Sequence, residues 1–345
     1  MAVVDRLDQP IGLSLPVQER LTAADYVELA QVAEREGLDT VFVGEIAGLE
    51  AFSALGLLAG ATRWIRLATG VISIYTRSVS LTAMGFATVA SAAPGRIVAG
   101  LGTGSRVVVD DWHGGELVEP RARMTDFVSV LRSALDGQRI DHRGATFSIT
   151  DFRLQIAAPQ PPVPIMLGSF NRRMLKLAGA IADGVILAFC PLDELAGRIA
   201  AIHEGAREAG RDPAELEVAG YVSAYAGTEP DAALERFRRL VLQYAVQPTH
   251  RAGFAGSIPD LDRAALLWSR GERREALTLV PDAAVLRLCP IGSPDDVLQR
   301  LEAMRALGVT LPVLAPQSLR PGDAETPAQT IRAVAVAARR LDPTR

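Results

Sequence analysis

The chain has 345 residues, of which 49% are hydrophobic and 22% charged, a composition typical of a globular protein with a large core. Its net charge of −4 and its dispersed arginines give no reason to expect nucleic acid as a partner. The two cysteines form no disulfide framework or metal motif, and no apolar run is long enough to span a membrane. Because residues 1–10 also lack the apolar stretch of a secretory signal, we expect a cytoplasmic protein without a membrane partner.

Short β-rich runs alternate with helical stretches along the chain. The first strand is predicted at 11–15, and Thr22 with Asp25 forms a weak capping box at the start of a helix that Gly37 ends. Further strands are predicted at 40–43, 65–73, 96–101, 163–167, 184–188, 216–226 and 310–314. Further helices are predicted at 51–59, 81–92, 120–135, 172–181, 193–209, 231–246, 294–307 (with Ser293 as N-cap) and 327–341.

Two segments interrupt this alternation. Residues 139–156 alternate apolar and polar side chains, which predicts a β-hairpin inserted after the fourth strand. Residues 248–280 are polar and helical in parts, without a strand, and indicate an insertion near the mouth of the fold, between the seventh and eighth strands.

Eight strands, each followed by a helix, favour an α/β fold of the (β/α)8 TIM-barrel type, formed by residues 1–345 as a single domain. A doubly wound parallel sheet is the competing fold. It normally has fewer units and a glycine-rich turn after its first strand, whereas the first turn here is Ser14-Leu15-Pro16. The barrel is therefore preferred, and it places functional residues on the loops that follow the strands.

Candidate functional residues lie at or directly after the ends of four of the predicted strands. Each segment alone is explained by the turn that any strand end makes, but four in equivalent positions favour a site. The segments are Glu45; Gly70, Val71, Ile72 and Ser73; Gly102, Thr103, Gly104 and Ser105; and Gly168, Ser169, Phe170 and Asn171.

The glycine-rich turn after the fourth strand fits neither common phosphate motif. Gly100, Gly102 and Gly104 are spaced too closely for a dinucleotide fingerprint, and no Gly-Lys-Ser/Thr follows as in a P-loop. Glycines at this point would let the backbone approach a flat ring or a phosphate closely.

The segment 168–171 opens a helix that carries Arg172, Arg173 and Lys176. The free N–H groups and the dipole at a helix N-terminus favour an anion, here the phosphate of a cofactor tail. An ordinary capped helix with a solvated basic face explains the same residues, and the sequence leaves both interpretations open.

The four histidines include no pair at metal-ligand spacing, so no metal site is predicted. Only His113 lies near the predicted mouth, where it is either functional or a loop residue bonded to the backbone. No serine occupies a G-x-S-x-G turn, which argues against triad hydrolysis.

Taken together, these motifs resemble the bacterial luciferase-like superfamily, and within it the branch that uses coenzyme F420, a 5-deazaflavin. The resemblance covers nearly the whole chain through the order and spacing of several segments. The segments are 70–77, 100–105, 112–114, 161–165, 182–185 and 291–294.

The resemblance implies a barrel, usually dimeric, whose strand ends hold the cofactor. It implies a non-prolyl cis peptide at Gly70–Val71 behind the central ring, an acidic residue near the ring at Glu45, and phosphate binding by Ser169 to Asn171. In the sugar-phosphate dehydrogenase branch, a histidine and a glutamate occupy the positions of Ile46 and Ser105, so that acid/base pair is missing here. Asn171 also replaces a common glycine.

The function that we expect is hydride transfer between F420 and a small organic substrate. Glu45, His113 or Tyr75 would relay the accompanying proton. A reduced-FMN monooxygenase is the main alternative, because FMN and F420 share a ring and a phosphate tail. A catalytically degenerate flavin-binding protein is the third interpretation.

Overall fold

The computed structural model describes residues 6–17, 19–248, 250–251, 254 and 256–341. The strands are β1 (Gly12–Ser14), β2 (Thr40–Val43), β3 (Arg66–Thr69), β4 (Ile72–Ser73), β5 (Ile97–Gly102), β6 (Ile140–Arg143), β7 (Ser148–Phe152), β8 (Ile165–Gly168), β9 (Gly184–Leu187), β10 (Glu217–Ala226), β11 (Ile291–Gly292) and β12 (Leu311–Pro316). The α-helices are α1 (Ala23–Arg35), α2 (Ala51–Ala61), α3 (Val79–Ala92), α4 (Pro120–Leu135), α5 (Arg172–Ile181), α6 (Leu192–Glu208), α7 (Pro230–Ala245), α8 (Leu261–Ser269), α9 (Arg273–Thr278), α10 (Asp282–Leu288), α11 (Pro294–Ala306) and α12 (Glu325–Arg340). A π-helix (Val107–Trp112) and a 3-10 helix (Pro213–Glu215) complete the elements.

A closed parallel barrel forms the centre of the molecule. Its strands follow the order β1, β2, β3, β5, β8, β9, β10 and β12, and β12 pairs with β1 to close the ring. The predicted TIM barrel is therefore confirmed, and the doubly wound sheet is excluded because an open sheet leaves two edge strands. No helix of the described residues is long and apolar enough to cross a membrane.

The predicted third strand, 65–73, is wrong as a continuous element. It divides into β3, which pairs with β2 and β5, and β4, which pairs with β5. The Gly70–Val71 peptide bond between them is cis, as the resemblance implies. Around this bond the chain stays hydrogen-bonded to the end of β2, because Gly70 N–H donates to the Val43 carbonyl at 2.7 Å.

Both predicted insertions are present. Strands β6 and β7 form the antiparallel hairpin. The described part of 248–280 contains α8 and α9 and no strand. With α7 and α10 it surrounds a second apolar core, separate from the core between the barrel and its helices. The sequence did not predict the π-helix, α10 or β11, which are each too short to show a reliable periodicity.

Helices α5 and α6 contact each other backbone to backbone. A Cβ at Gly205 would lie 1.9 Å from the Lys176 carbonyl oxygen, and one at Gly179 would lie 2.0 Å from that of Ile202. Both glycines are buried within their helices. This contact fixes α5 on α6 and so sets the position of the segment before α5, where phosphate binding is predicted.

We predict that Gly205→Ala destabilises the protein by about 3 kcal/mol, because the added methyl group must displace backbone. Thermal or urea unfolding measures the loss. Gly197→Ala in the same helix is the matched control, since no atom lies within 4 Å of that site and alanine is the better helix former by about 1 kcal/mol. Equal stabilities of the two variants would contradict the proposed close contact.

Candidate active site at the barrel mouth

The carboxyl ends of the barrel strands surround a mouth whose floor consists of Val71 and Tyr221. Both side chains pack on the residues that fill the barrel interior, such as Phe42, whose ring meets that of Tyr221 edge-on at 5.3 Å. Strand β10 lies opposite β3 in the ring of eight, and the Tyr221 side chain reaches across it. A Cβ at Gly70 would lie 2.2 Å from the Tyr221 hydroxyl oxygen, so this hydroxyl packs directly on Gly70.

The glycines of β5 and β8 make room for the floor. A Cβ would lie 2.5 Å from a methyl group of Val71 at Gly102, and 2.9 Å from one at Gly168. At Gly100 it would lie 1.9 Å from the Thr69 carbonyl oxygen. The sequence predicted that these glycines let a ligand approach closely. The chain itself also requires them, because Val71 fits only where β5 and β8 lack a side chain at Gly102 and Gly168.

Hydroxyl groups join the third strand segment to β5. The Thr69 hydroxyl donates to the Gly100 carbonyl at 2.7 Å and accepts from Gly100 N–H at 2.8 Å. Ser73 Oγ donates to the Thr103 carbonyl at 3.1 Å, and Ser105 Oγ accepts from Val108 N–H at 3.3 Å as the π-helix begins. The turn 102–105 is therefore held in one position, with Gly104 at a φ of 72°.

Glu45 belongs to a charged network at the start of α2. Its carboxylate accepts from Ala51 N–H at 2.9 Å and from Arg77 Nη2 at 2.6 Å, and Arg77 also binds Glu50. Burial lowers the pKa of Arg77, but the hydrogen bonds and charges of Glu45 and Glu50 outweigh burial and raise it. The carboxylate of Glu45 is thus engaged by protein groups.

Tyr75 and His113, the other two predicted proton carriers, have surroundings that differ from those of Glu45. The Tyr75 hydroxyl donates to the Val118 carbonyl, its ring lies under Arg123 at 4.7 Å, and burial raises its pKa. His113 follows the π-helix and is exposed. The three residues have different surroundings, and no contact within the described part of the chain joins them into one relay.

The predicted phosphate segment forms the N-terminus of α5. The Asn171 side chain caps this helix by accepting from Met174 N–H at 2.9 Å, and Ser169 is buried beside it. Arg172 and Lys176 form ion pairs with Glu204 of α6 at 2.6 and 3.0 Å. These cations are neutralised within the protein, so an anion here would rely on the helix N–H groups.

An aromatic wall, formed by Phe170, Phe189, Tyr244 and His250, stands beside the mouth. Phe170 meets His250 with ring centroids 4.0 Å apart, and Phe189 meets Tyr244 at 4.1 Å. Phe170 and Phe189 follow β8 and β9, whereas Tyr244 and His250 come from α7 and the insertion. Sequence reasoning missed Phe189, Tyr244, His250 and also Tyr221. Only Phe189 carried a usable signal, as a residue directly after a predicted strand.

The family comparison agrees with the geometry. The model of the luciferase-like monooxygenase family matches residues 9–311. A 5,10-methylenetetrahydromethanopterin reductase of Methanolobus tindarius is 27% identical over 301 residues, which cover 81% of this chain and 86% of the relative. The predicted resemblance to this family is confirmed.

Solved structures with the same fold include enzymes of both cofactor types. The coenzyme F420-dependent tetrahydromethanopterin reductase of Methanopyrus kandleri superposes with a TM-score of 0.82 at 23% identity, covering 96% of this chain and 98% of that one. A type II Baeyer-Villiger monooxygenase of Pseudomonas putida in complex with FMN superposes with a TM-score of 0.68 at 16% identity, covering 97% and 98%. At these identities the likeness shows the fold.

We predict that His250 makes stability depend on pH. Burial, aided by the nearby Arg198, lowers its pKa from 6.5 to about 4, so the unfolded chain binds a proton that the folded wall resists. This stabilisation is complete above pH 6.5 and is lost progressively as the pH falls from 6.5 to about 4. We expect the free energy of unfolding in urea to be lower at pH 5 than at pH 7. His250→Gln should reduce this difference by about 2 kcal/mol. The exposed His113→Gln should leave it unchanged, and an undiminished difference in His250→Gln would refute the assignment.

Proposed function

Because the chain belongs to the luciferase-like monooxygenase family, we propose that it is an oxidoreductase that transfers a hydride between coenzyme F420 and a small organic substrate at the barrel mouth. The observation that carries this proposal is the floor: a small apolar surface at Gly70–Val71 with the buried, unpaired hydroxyl of Tyr221 against it. The F420-dependent reductase with the same fold supports the choice of cofactor. A cytoplasmic location is part of the proposal, since both cysteines are free, which suits a reducing compartment.

The residues at the mouth fit a deazaflavin with a phosphorylated tail. Val71 and Ile72 would lie behind the ring, the turn 102–105 beside it, and the N-terminus of α5 with Ser169 and Asn171 at the phosphate. Bound F420 supplies a carbon that accepts or donates a hydride. The chain positions both reactants and excludes water, while Glu45, His113 and Tyr75 stay the proposed proton carriers.

A reduced-FMN monooxygenase is the second candidate function, favoured by the FMN complex with the same fold. The floor and the α5 terminus suit either ring and either phosphate. A flavin-binding protein without turnover is the third, since Ile46 and Ser105 lack the acid/base groups of the sugar-phosphate branch.

Parallel titrations with F420 and FMN test the cofactor. We expect the protein to quench F420 fluorescence at micromolar concentrations and to bind FMN more weakly. Asn171→Asp keeps a good helix cap but adds a charge beside the phosphate, so F420 affinity should fall about tenfold.

Ser293→Asp changes the N-cap of α11 in the same way, away from the α5 terminus, and should leave F420 affinity unchanged. Tight FMN binding with oxygen uptake, and no F420 binding, would replace the proposal with the second candidate.

We also propose a homodimer formed by α2 and α3. These adjacent helices leave Leu57, Leu81 and Met84 about half exposed, and nothing lies within 4 Å of a Cβ at Gly56 or Gly60. Large apolar groups beside bare backbone suit close packing of a second copy.

Light scattering during gel filtration tests the dimer. We expect the mass of two chains at micromolar concentration, and the mass of one chain for Met84→Glu, because a buried interface tolerates no unpaired charge. Leu286→Glu, at a similarly exposed site on α10, should remain dimeric. A wild-type protein with the mass of one chain would overturn this proposal.

A further inference from the structure

Two tyrosine hydroxyls at the floor and wall have no hydrogen-bond partner among the described residues. The Tyr221 hydroxyl is buried and packs on Gly70. Burial raises the pKa of Tyr221, and Tyr244 of the aromatic wall is close enough to add to this effect electrostatically. An unsatisfied hydroxyl in a buried position costs about 1–3 kcal/mol, so its retention calls for a partner.

The other three of the five tyrosines are all paired. Tyr26 donates to the Pro16 carbonyl at 2.8 Å, Tyr75 donates to the Val118 carbonyl, and the Tyr225 hydroxyl accepts from Glu229 N–H at 3.0 Å. Among the described tyrosines, unpaired hydroxyls are therefore confined to the two at the mouth, which points to a partner that comes from outside the chain.

We propose, resting on the function above, that Tyr221 and Tyr244 bind the oxygen atom of a ketone or secondary alcohol and that Tyr221, in place of Glu45, His113 or Tyr75, carries the proton of the reaction. The Tyr221 hydroxyl lies at the floor beside Gly70–Val71, next to the position proposed for the ring. It supplies the acid/base group that Ile46 and Ser105 do not.

The reaction balances with these groups. In ketone reduction, the carbonyl carbon would gain a C–H bond from the hydride that bound, reduced F420 would supply, with F420 losing the two electrons. The C=O π bond breaks, its oxygen takes the proton of Tyr221, and the tyrosinate regains a proton from water. Burial, the main cause, raises the pKa of both tyrosines, so both hydroxyls are protonated and able to donate at neutral pH.

The wall indicates a neutral, largely apolar substrate. Phe170, Phe189 and the ring of Tyr244 are uncharged, and His250, with a pKa of about 4, is neutral at pH 7. Arg198, the cation that acts on His250, forms an ion pair with Glu194 through Nη2 at 2.9 Å, while its buried Nη1 has no partner among the described residues. Such surroundings favour a ketone with an apolar body over a phosphorylated or carboxylated substrate.

Cyclohexanone is a suitable probe. We would measure its affinity for the full chain loaded with oxidised F420 by calorimetry, its reduction by reduced F420, and the melting temperature of each variant. Tyr221→Phe should weaken cyclohexanone binding about tenfold and slow reduction by about 100-fold or more. Its melting temperature should not fall, because the lost hydroxyl had no partner. Tyr244→Phe should weaken binding similarly.

Tyr225→Phe on the same strand is the matched control. It loses the hydrogen bond with Glu229 N–H, so it should lower the melting temperature and leave cyclohexanone affinity unchanged. If Tyr221→Phe and Tyr244→Phe both bind cyclohexanone within twofold of the wild-type affinity and bind F420 normally, the role of the two tyrosines is overturned. The proposed F420-dependent function is not affected by that result.

The remaining outcomes separate the two proposals. A loss confined to F420 affinity assigns the hydroxyls to the cofactor and overturns the pair as substrate ligands. Normal F420 binding without cyclohexanone binding overturns the substrate class. Absence of F420 binding overturns the proposed function and, with it, the inference.

Discussion

The packing of Val71 between β5 and β8 is the contact on which the rest of the mouth depends. Its methyl groups occupy space that Gly102 and Gly168 leave by lacking a side chain. The same residue divides the third strand, exposes a small apolar surface upward, and lies beside the Tyr221 hydroxyl on Gly70. Sheet pairing, glycine placement and the candidate site therefore share one steric requirement.

Local pattern predicted the barrel and the four strand ends on which the candidate site is built. Helix caps such as Thr22 with Asp25 and strand runs such as 40–43 act over a few residues, so the sequence displays them directly. Four strand ends could be identified for the same reason. The single break within 65–73 could not be derived from periodicity, since one glycine within an otherwise β-prone run does not by itself place a break. The resemblance alone placed it at Gly70–Val71.

The features that the sequence did not reveal depend on contacts between residues that are far apart in the chain. Tyr221 is an ordinary strand residue in the sequence, and its contact with Gly70 spans the barrel. Glu45 was predicted beside a cofactor ring, yet its engagement with Arg77 appears only when the loops are folded. Tyr244 reaches the mouth because an insertion carries it there, and no local pattern encodes where an insertion lies.

The residues around the mouth rest on two separate apolar cores. Val71 and Tyr221 belong to the barrel interior, whereas the insertion side of the wall rests on the cluster around α7 to α10. Local unfolding follows such cooperative units, so the insertion can open at a lower free energy than the barrel. Amide protons of α8 and α9 would then exchange with solvent well before those of β5.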